Sequence, residues 1–154
     1  MELQEFADQE LRDAAFGLCI LTIVLLSNTF FFLQVFIWFS RVTARIVNRA
    51  PYKLIARFMQ AVLLMCLVQI ISILLWTAAI YANDLMDNLR LAMLFAGSCY
   101  TTLGIISDNL PKGWQSLAFY IAFSGLFSFA MATSAMMAML SAVRKKIYSS
   151  KATT

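Results

Sequence analysis

Long apolar segments separated by short charged stretches dominate the sequence. The segments 14–40, 58–82 and 114–143 each contain no charged residue. A helix needs about 20 apolar residues to cross the hydrocarbon core of a bilayer, and each segment is long enough to do so, with some tilt. The pattern therefore predicts three transmembrane helices.

A fourth apolar segment, within residues 88–108, is shorter. Its apolar part runs from Leu91 to Ile106 and includes two threonines and Gly104 near its end. A stretch of about 16 residues falls short of a span, so it fits a buried or re-entrant segment better. We expect a short helix, capped by Asp87 or Asn88, that enters the membrane and returns to the same side as extended chain. Such backbone is tolerated only where protein buries it or where it lines a watery cavity.

Charge patterning predicts the orientation. The basic residues concentrate in the 41–57 segment and in the 144–154 tail, whereas residues 1–13 are acidic. The positive-inside rule puts both basic segments in the cytoplasm and the N-terminus and 83–113 outside, in the cell membrane. Both basic segments can lie on the same side only if the fourth segment does not cross the membrane.

The basic residues of the 41–57 segment recur at every fourth position. One interpretation is a voltage sensor, but sensors carry their arginines inside a span. Here the series lies between spans and Pro51 interrupts it, which favours a cytoplasmic loop touching anionic lipid, as the tail also would. The series comprises Arg41, Arg45, Arg49, Lys53 and Arg57.

Composition narrows the class further. The chain is 62% hydrophobic and 13% charged, with a mean hydropathy of +0.78, which predicts an all-α membrane protein. The net charge of +4 is explained by topology rather than by nucleic acid. With no histidine, imidazole-ligated haem, most zinc sites and histidine triads are excluded. Neither an enzyme nor a resident cofactor is expected.

Two smaller features have competing interpretations. Cys19, Cys66 and Cys99 are far apart in apolar segments, so small buried hydrophobes are favoured over a redox or metal cluster. Residues 1–13 have apolar positions at roughly helical spacing, which predicts a short amphipathic helix on the membrane surface. Its acidic side chains would form either a cation-concentrating collar or a solvated tail.

The segment after Tyr100 resembles a known motif. Thr101-Thr102-Leu103-Gly104 is similar to the start of the potassium-channel filter, T-T-V/L-G-Y-G-D, and Asp108 resembles the closing acid. The loop 110–114 and the steps Ser124-Gly125 and Thr133-Ser134 resemble the inner helix of small bacterial ion-channel proteins with three spans and one pore loop. The resemblance covers roughly residues 60–143.

The resemblance implies a homotetramer around a central pore for K⁺, Na⁺ or both. Thr102 and Leu103 would offer oxygen ligands to the ion, and Gly104 would permit the backbone twist that turns carbonyls inward. Gly125 would be either a gating hinge or a packing notch in the inner helix. The implied filter residues are Thr101, Thr102, Leu103, Gly104, Ile105, Ile106, Ser107 and Asp108.

Acidic residues would flank the implied pore. Four copies of Asp108 would ring its outer mouth and raise the local cation concentration. Asp84 and Asp87 could join that ring, although a capping or solvated-loop role is favoured for both.

The sequence departs from the filter pattern after Gly104. Ile105 and Ile106 stand where the pattern has Tyr-Gly, one residue is extra, and no second glycine follows. A β-branched residue at positive φ is an outlier, so the outer carbonyl rings can hardly form. We therefore expect reduced or absent potassium selectivity. The alternatives are a non-conducting channel-like subunit, plugged by the isoleucines, and a membrane adaptor.

Overall fold

A computed structural model of the chain describes residues 2–45, 51–104, 114 and 116–151, which include four helices and the turn between the second and the third. The helices are α1 (Glu2–Arg45), α2 (Pro51–Ala82), α3 (Leu89–Tyr100) and α4 (Ser116–Lys151). Three segments are long and apolar enough to cross a membrane, namely Ala14–Arg45, Tyr52–Ala82 and Ser116–Tyr148. The predicted helical fold is confirmed for the described residues, with three helices long and apolar enough for a membrane protein.

The helices run further than the apolar segments do. The acidic residues 2–13 are helical as predicted, but they do not form a short helix of their own: they continue directly into α1. The reason is local: the segment contains good helix formers and neither glycine nor proline to break it. Helix α4 likewise continues through Arg144–Lys146 of the basic tail.

Two apolar clusters show the relative directions of the three long helices. The first cluster joins Leu21 of α1 to Ile80 of α2 and Ile121 of α4. The second cluster joins the later part of α1 to the early part of α2 and the later part of α4, through Phe39, Leu54, Met65, Met139 and Val143. Helices α1 and α4 are therefore parallel, and α2 is antiparallel to both.

Buried polar side chains link the three long helices between these clusters. Asn28 donates from Nδ2 to Ser128 Oγ, and its Oδ1 accepts from Ser72 Oγ at 2.6 Å. One turn away, Trp76 Nε1 donates to Ser124 Oγ at 2.9 Å. Because lipid offers no hydrogen-bond partner, these bonds favour one register of the helices over its neighbours.

The two basic segments meet at one end of the bundle. Lys146 Nζ donates to the backbone carbonyl of Thr43, which brings the tail of α4 against the end of α1. Arg45 shares a cleft with Lys53, across the α1–α2 connection. The turn carrying Asp84 lies at the other end, beside the first cluster.

We expect this arrangement to determine accessibility in vesicles. Cysteines introduced singly as Arg45→Cys, Lys145→Cys or Asn83→Cys, with the three native cysteines replaced, should label with a membrane-impermeant maleimide. Positions 45 and 145 should react from one side and position 83 from the other. Reaction of 45 and 145 from opposite sides would mean that α3 crosses the bilayer.

Candidate functional site

The candidate site begins at a tight turn between α2 and α3. Asp84 takes a left-handed conformation, with φ of +51°, and its N–H donates to the carbonyl of Tyr81 at 3.1 Å. Asn88 then caps α3, its Oδ1 accepting from the Arg90 N–H at 2.9 Å. This satisfies one of the free donors at a helix start and confirms Asn88, of the two predicted residues, as the cap.

Helix α3 has one buried face and one exposed face. The buried apolar residues belong to the first apolar cluster and pack against α2 and α4. They are Ala92, Phe95, Ala96, Cys99 and Tyr100, and the polar residue Ser98 is buried with them. Leu91, Met93 and Leu94, between 42% and 50% exposed, form the other face. A single chain therefore leaves an apolar side of α3 without a protein partner among the described residues.

Tyr100 fixes the C-terminal end of α3. Its hydroxyl donates to Gln69 Oε1 of α2 at 2.5 Å, and its ring lies 6.0 Å from the ring of Phe129 on α4. Its carbonyl oxygen lies directly over Gly125, where any β-carbon would overlap it. Helix α3 is thus held from both sides at one residue.

This contact also determines how far α3 reaches into the bundle. Gly125 is roughly 14 Å along α4 from Ser116, and Gln69 roughly 20 Å along α2 from Ala82, at about 1.5 Å per residue. The ring of Trp114, just before α4, packs edge-on against the ring of Phe16 in α1, with 5.5 Å between the ring centroids. This contact places the start of α4 at the end of the bundle where α3 begins. Helix α3 consequently ends inside the bundle.

The residues after Tyr100 fold back over the helix end. The Thr102 N–H donates to the Cys99 carbonyl at 2.9 Å, and the Leu103 N–H to the Ser98 carbonyl at 2.8 Å. These two bonds make a Schellman cap with Thr102 in its left-handed position, at φ of +62°. Glycine is usual there, and a side chain with a β-carbon costs about 1–2 kcal/mol.

The cap uses the N–H groups of residues 101–103 and the hydroxyls of Thr101 and Thr102 as donors within the segment itself. The Thr101 hydroxyl donates to the Gly97 carbonyl, and the Thr102 hydroxyl to the Thr101 carbonyl, both at 2.7 Å. Within the described part of the chain, no donor reaches the carbonyls of Thr102 and Leu103, and both residues are exposed. Gly104 follows at φ of +63°.

The structure thus brings together some of the predicted site residues and separates others. Thr101, Thr102, Leu103 and Gly104 form one exposed segment, next to which Gly125 is buried. Asp84 and Asp87 lie at the opposite end of α3 from this segment. Ile105, Ile106, Ser107 and Asp108 lie outside the described residues.

One interaction that holds the segment was not predicted. The Tyr100–Gln69 bond joins residues of two different helices. Its only sequence signal was a glutamine in the middle of an apolar segment. The described residues contain no group of three histidine, cysteine or acidic side chains placed to hold a metal.

Similarity to known proteins adds nothing to this description: no family model matches the chain, and no curated protein or solved structure resembles it significantly. The likeness to potassium-channel pores therefore depends on the residues quoted above.

The close contact at Gly125 predicts that alanine substitution lowers stability more at Gly125 than at Gly97. Gly125→Ala should destabilise the fold by about 1–3 kcal/mol, because the methyl group must displace the α3 end. Gly97→Ala is the matched control, since its β-carbon meets only Ile73 Cγ2, at 3.8 Å. Thermal unfolding in detergent micelles measures the difference, and equal melting temperatures for the two variants would contradict the close approach.

The left-handed cap predicts a stabilising substitution. Thr102→Gly should raise the free energy of unfolding by about 1 kcal/mol, because glycine adopts positive φ without strain. Thr102→Ala removes the hydroxyl but keeps the β-carbon, so it should give no such gain. Chemical denaturation of both variants in micelles tests this, and a Thr102→Gly variant no more stable than Thr102→Ala would be inconsistent with the cap.

Proposed function

We propose that the chain forms a homotetrameric cation channel that passes K⁺, Na⁺ or both across the cell membrane. In this proposal α3 is a re-entrant pore helix and residues 101–108 line the ion path. The N-terminus lies outside and the basic end of the bundle is cytoplasmic. One observation carries the proposal: α3 ends inside the bundle, and just beyond its end lie the exposed residues Thr102 and Leu103, whose carbonyl oxygens accept no hydrogen bond from the described part of the chain.

The carbonyl oxygens of Thr102 and Leu103 support this proposal on physical grounds. A backbone polar group without a partner at membrane depth costs several kcal/mol, so Thr102 and Leu103 cannot face lipid. Four copies around an axis would turn the same oxygens toward a dehydrated cation, which replaces the missing donors. The C-terminal end of α3 adds partial negative charge from its helix dipole in the same place.

The exposed apolar surfaces supply a route to the tetramer. On α4, Phe123 lies 5.9 Å from Phe119 and 4.6 Å from Phe127 between ring centroids, which forms an aromatic row along the helix. The exposed side of α3, including Leu94, is also apolar. We assign these surfaces to contacts between copies, which would enclose residues 101–104 away from lipid.

Selectivity is proposed to be weak. Thr102 already occupies a left-handed conformation within the cap, and Ile105 follows Gly104 where the potassium filter continues with tyrosine and glycine. Only the rings formed by Thr102 and Leu103 retain the oxygen pattern that the resemblance implies. An Asp108 ring at the outer mouth would attract cations without distinguishing among them.

Cation flux into proteoliposomes tests the proposal. Purified protein should carry K⁺ and Na⁺ with rates that differ by less than roughly tenfold, which corresponds to about 1.4 kcal/mol. Gly125→Ala should reduce the flux by displacing the α3 end. Leu26→Ala, at an exposed α1 position, controls for reconstitution and should conduct normally.

Three other outcomes would contradict all or part of this proposal. A crosslinked tetramer without flux would indicate the non-conducting channel-like subunit. A chain that neither assembles into a tetramer nor conducts would indicate the membrane adaptor. A potassium preference well above tenfold would leave the channel intact but contradict its weak selectivity.

A further inference from the structure

The basic end of the bundle gathers most of the positive charge of the chain, in parts of the sequence that contain no acidic side chain. Of the 12 lysines and arginines, only Arg12, Arg90 and Lys112 lie outside the 41–57 segment and the tail. The sequence contains no acidic residue between Asp13 and Asp84, nor any after Asp108. The sequence therefore places no acidic side chain beside either basic segment.

Part of this charge is gathered in a cleft between α1 and α2. The cleft has a volume of about 530 Å³ and brings Arg45 of α1 together with Lys53 and Arg57 of α2. Val42, Tyr52, Ala56 and Gln60 complete its walls. Arg57 donates to Gln60 Oε1 at 2.8 Å, and the Lys53 ammonium lies 5.9 Å from the Tyr52 ring. Three cations thus share one cavity.

The cleft also lies over the first turns of α2, which begins at Pro51. The N-terminal end of a helix carries partial positive charge and free N–H groups, and both favour anions. This adds to the three side-chain charges. The cleft therefore suits a ligand with at least two negative charges more than a singly charged one.

The surface below the cleft indicates where the ligand comes from. Positions 53, 56, 57 and 60 lie on one face of α2, and the same face continues with Leu64 and Leu67 at helical spacing. These leucines are 39% and 51% exposed. A molecule with its anionic head in the cleft would lay an apolar tail along them.

We propose that this cleft is a binding site for an anionic phospholipid of the cytoplasmic leaflet, whose headgroup carries at least two negative charges. The headgroup phosphate contacts Arg45, Lys53 and Arg57, and the acyl chains lie along Leu64 and Leu67. The site requires only that this end of the bundle meets the membrane surface, so it does not depend on ion conduction.

Lipid binding by the purified full chain in detergent tests the site. Phosphatidic acid and cardiolipin are added and bound lipid is counted by native mass spectrometry, with phosphatidylcholine and inorganic phosphate as comparisons. The doubly charged lipids should bind at least tenfold more tightly than phosphatidylcholine. Inorganic phosphate should not compete at millimolar concentration.

A pair of matched double variants locates the binding. Lys53→Gln with Arg57→Gln should weaken phosphatidic acid binding by more than tenfold. Arg144→Gln with Lys145→Gln removes the same charge from the same end of the bundle, but outside the cleft, and should weaken binding less than threefold. If the first pair fails to fold, Arg45→Gln replaces it, with a loss of at least threefold expected.

Three results would overturn the site. Equal losses in both double variants would mean that the lipid responds to overall charge alone. Phosphatidylcholine binding as tightly as phosphatidic acid would remove the role of the headgroup charge. Competition by inorganic phosphate would mean that the cleft takes a free anion instead of a lipid.

Discussion

The position of α3 depends on the contact of Tyr100 with two flanking helices. The hydroxyl of Tyr100 is bonded to Gln69, and its carbonyl lies against Gly125, where no larger residue fits. Because α3 has only 12 residues, it cannot hold itself at depth by length. A shift of Tyr100 would also shift the exposed residues that follow it, including Thr102 and Leu103.

The bundle of the three long helices α1, α2 and α4 is stabilised by different interactions at its two ends and in its middle. Apolar clusters occupy the ends, and a small polar network centred on Asn28 occupies the middle. Inside a membrane, apolar contacts distinguish poorly between one register and the next, because lipid is equally apolar. Directional bonds from Asn28 and from Trp76 supply that discrimination, so Gln69 and Gly125 face each other across α3.

Hydrophobic length was sufficient to predict the three long apolar helices. The position before an apolar segment limited the cap of α3 to Asp87 or Asn88, and only the bond from the Arg90 N–H decides for Asn88. The start of α1 was not predictable in this way, since a surface helix and a span share one periodicity and nothing between them breaks the chain. Nor was the cap at Thr102: a β-branched residue argues against positive φ, and only the bonds to Ser98 and Cys99 explain it. The Tyr100–Gln69 pair joins distant parts of the sequence, which local patterns do not connect.

The order of the helices along the chain has a consequence for synthesis. Helices α1 and α2 leave the ribosome first and can pair as a hairpin, with the bond from Ser72 to Asn28 already possible. Helix α3 follows them, but one of the two contacts that hold Tyr100 is with Gly125, which is translated later. The short helix therefore cannot complete its packing until α4 has been synthesised and inserted.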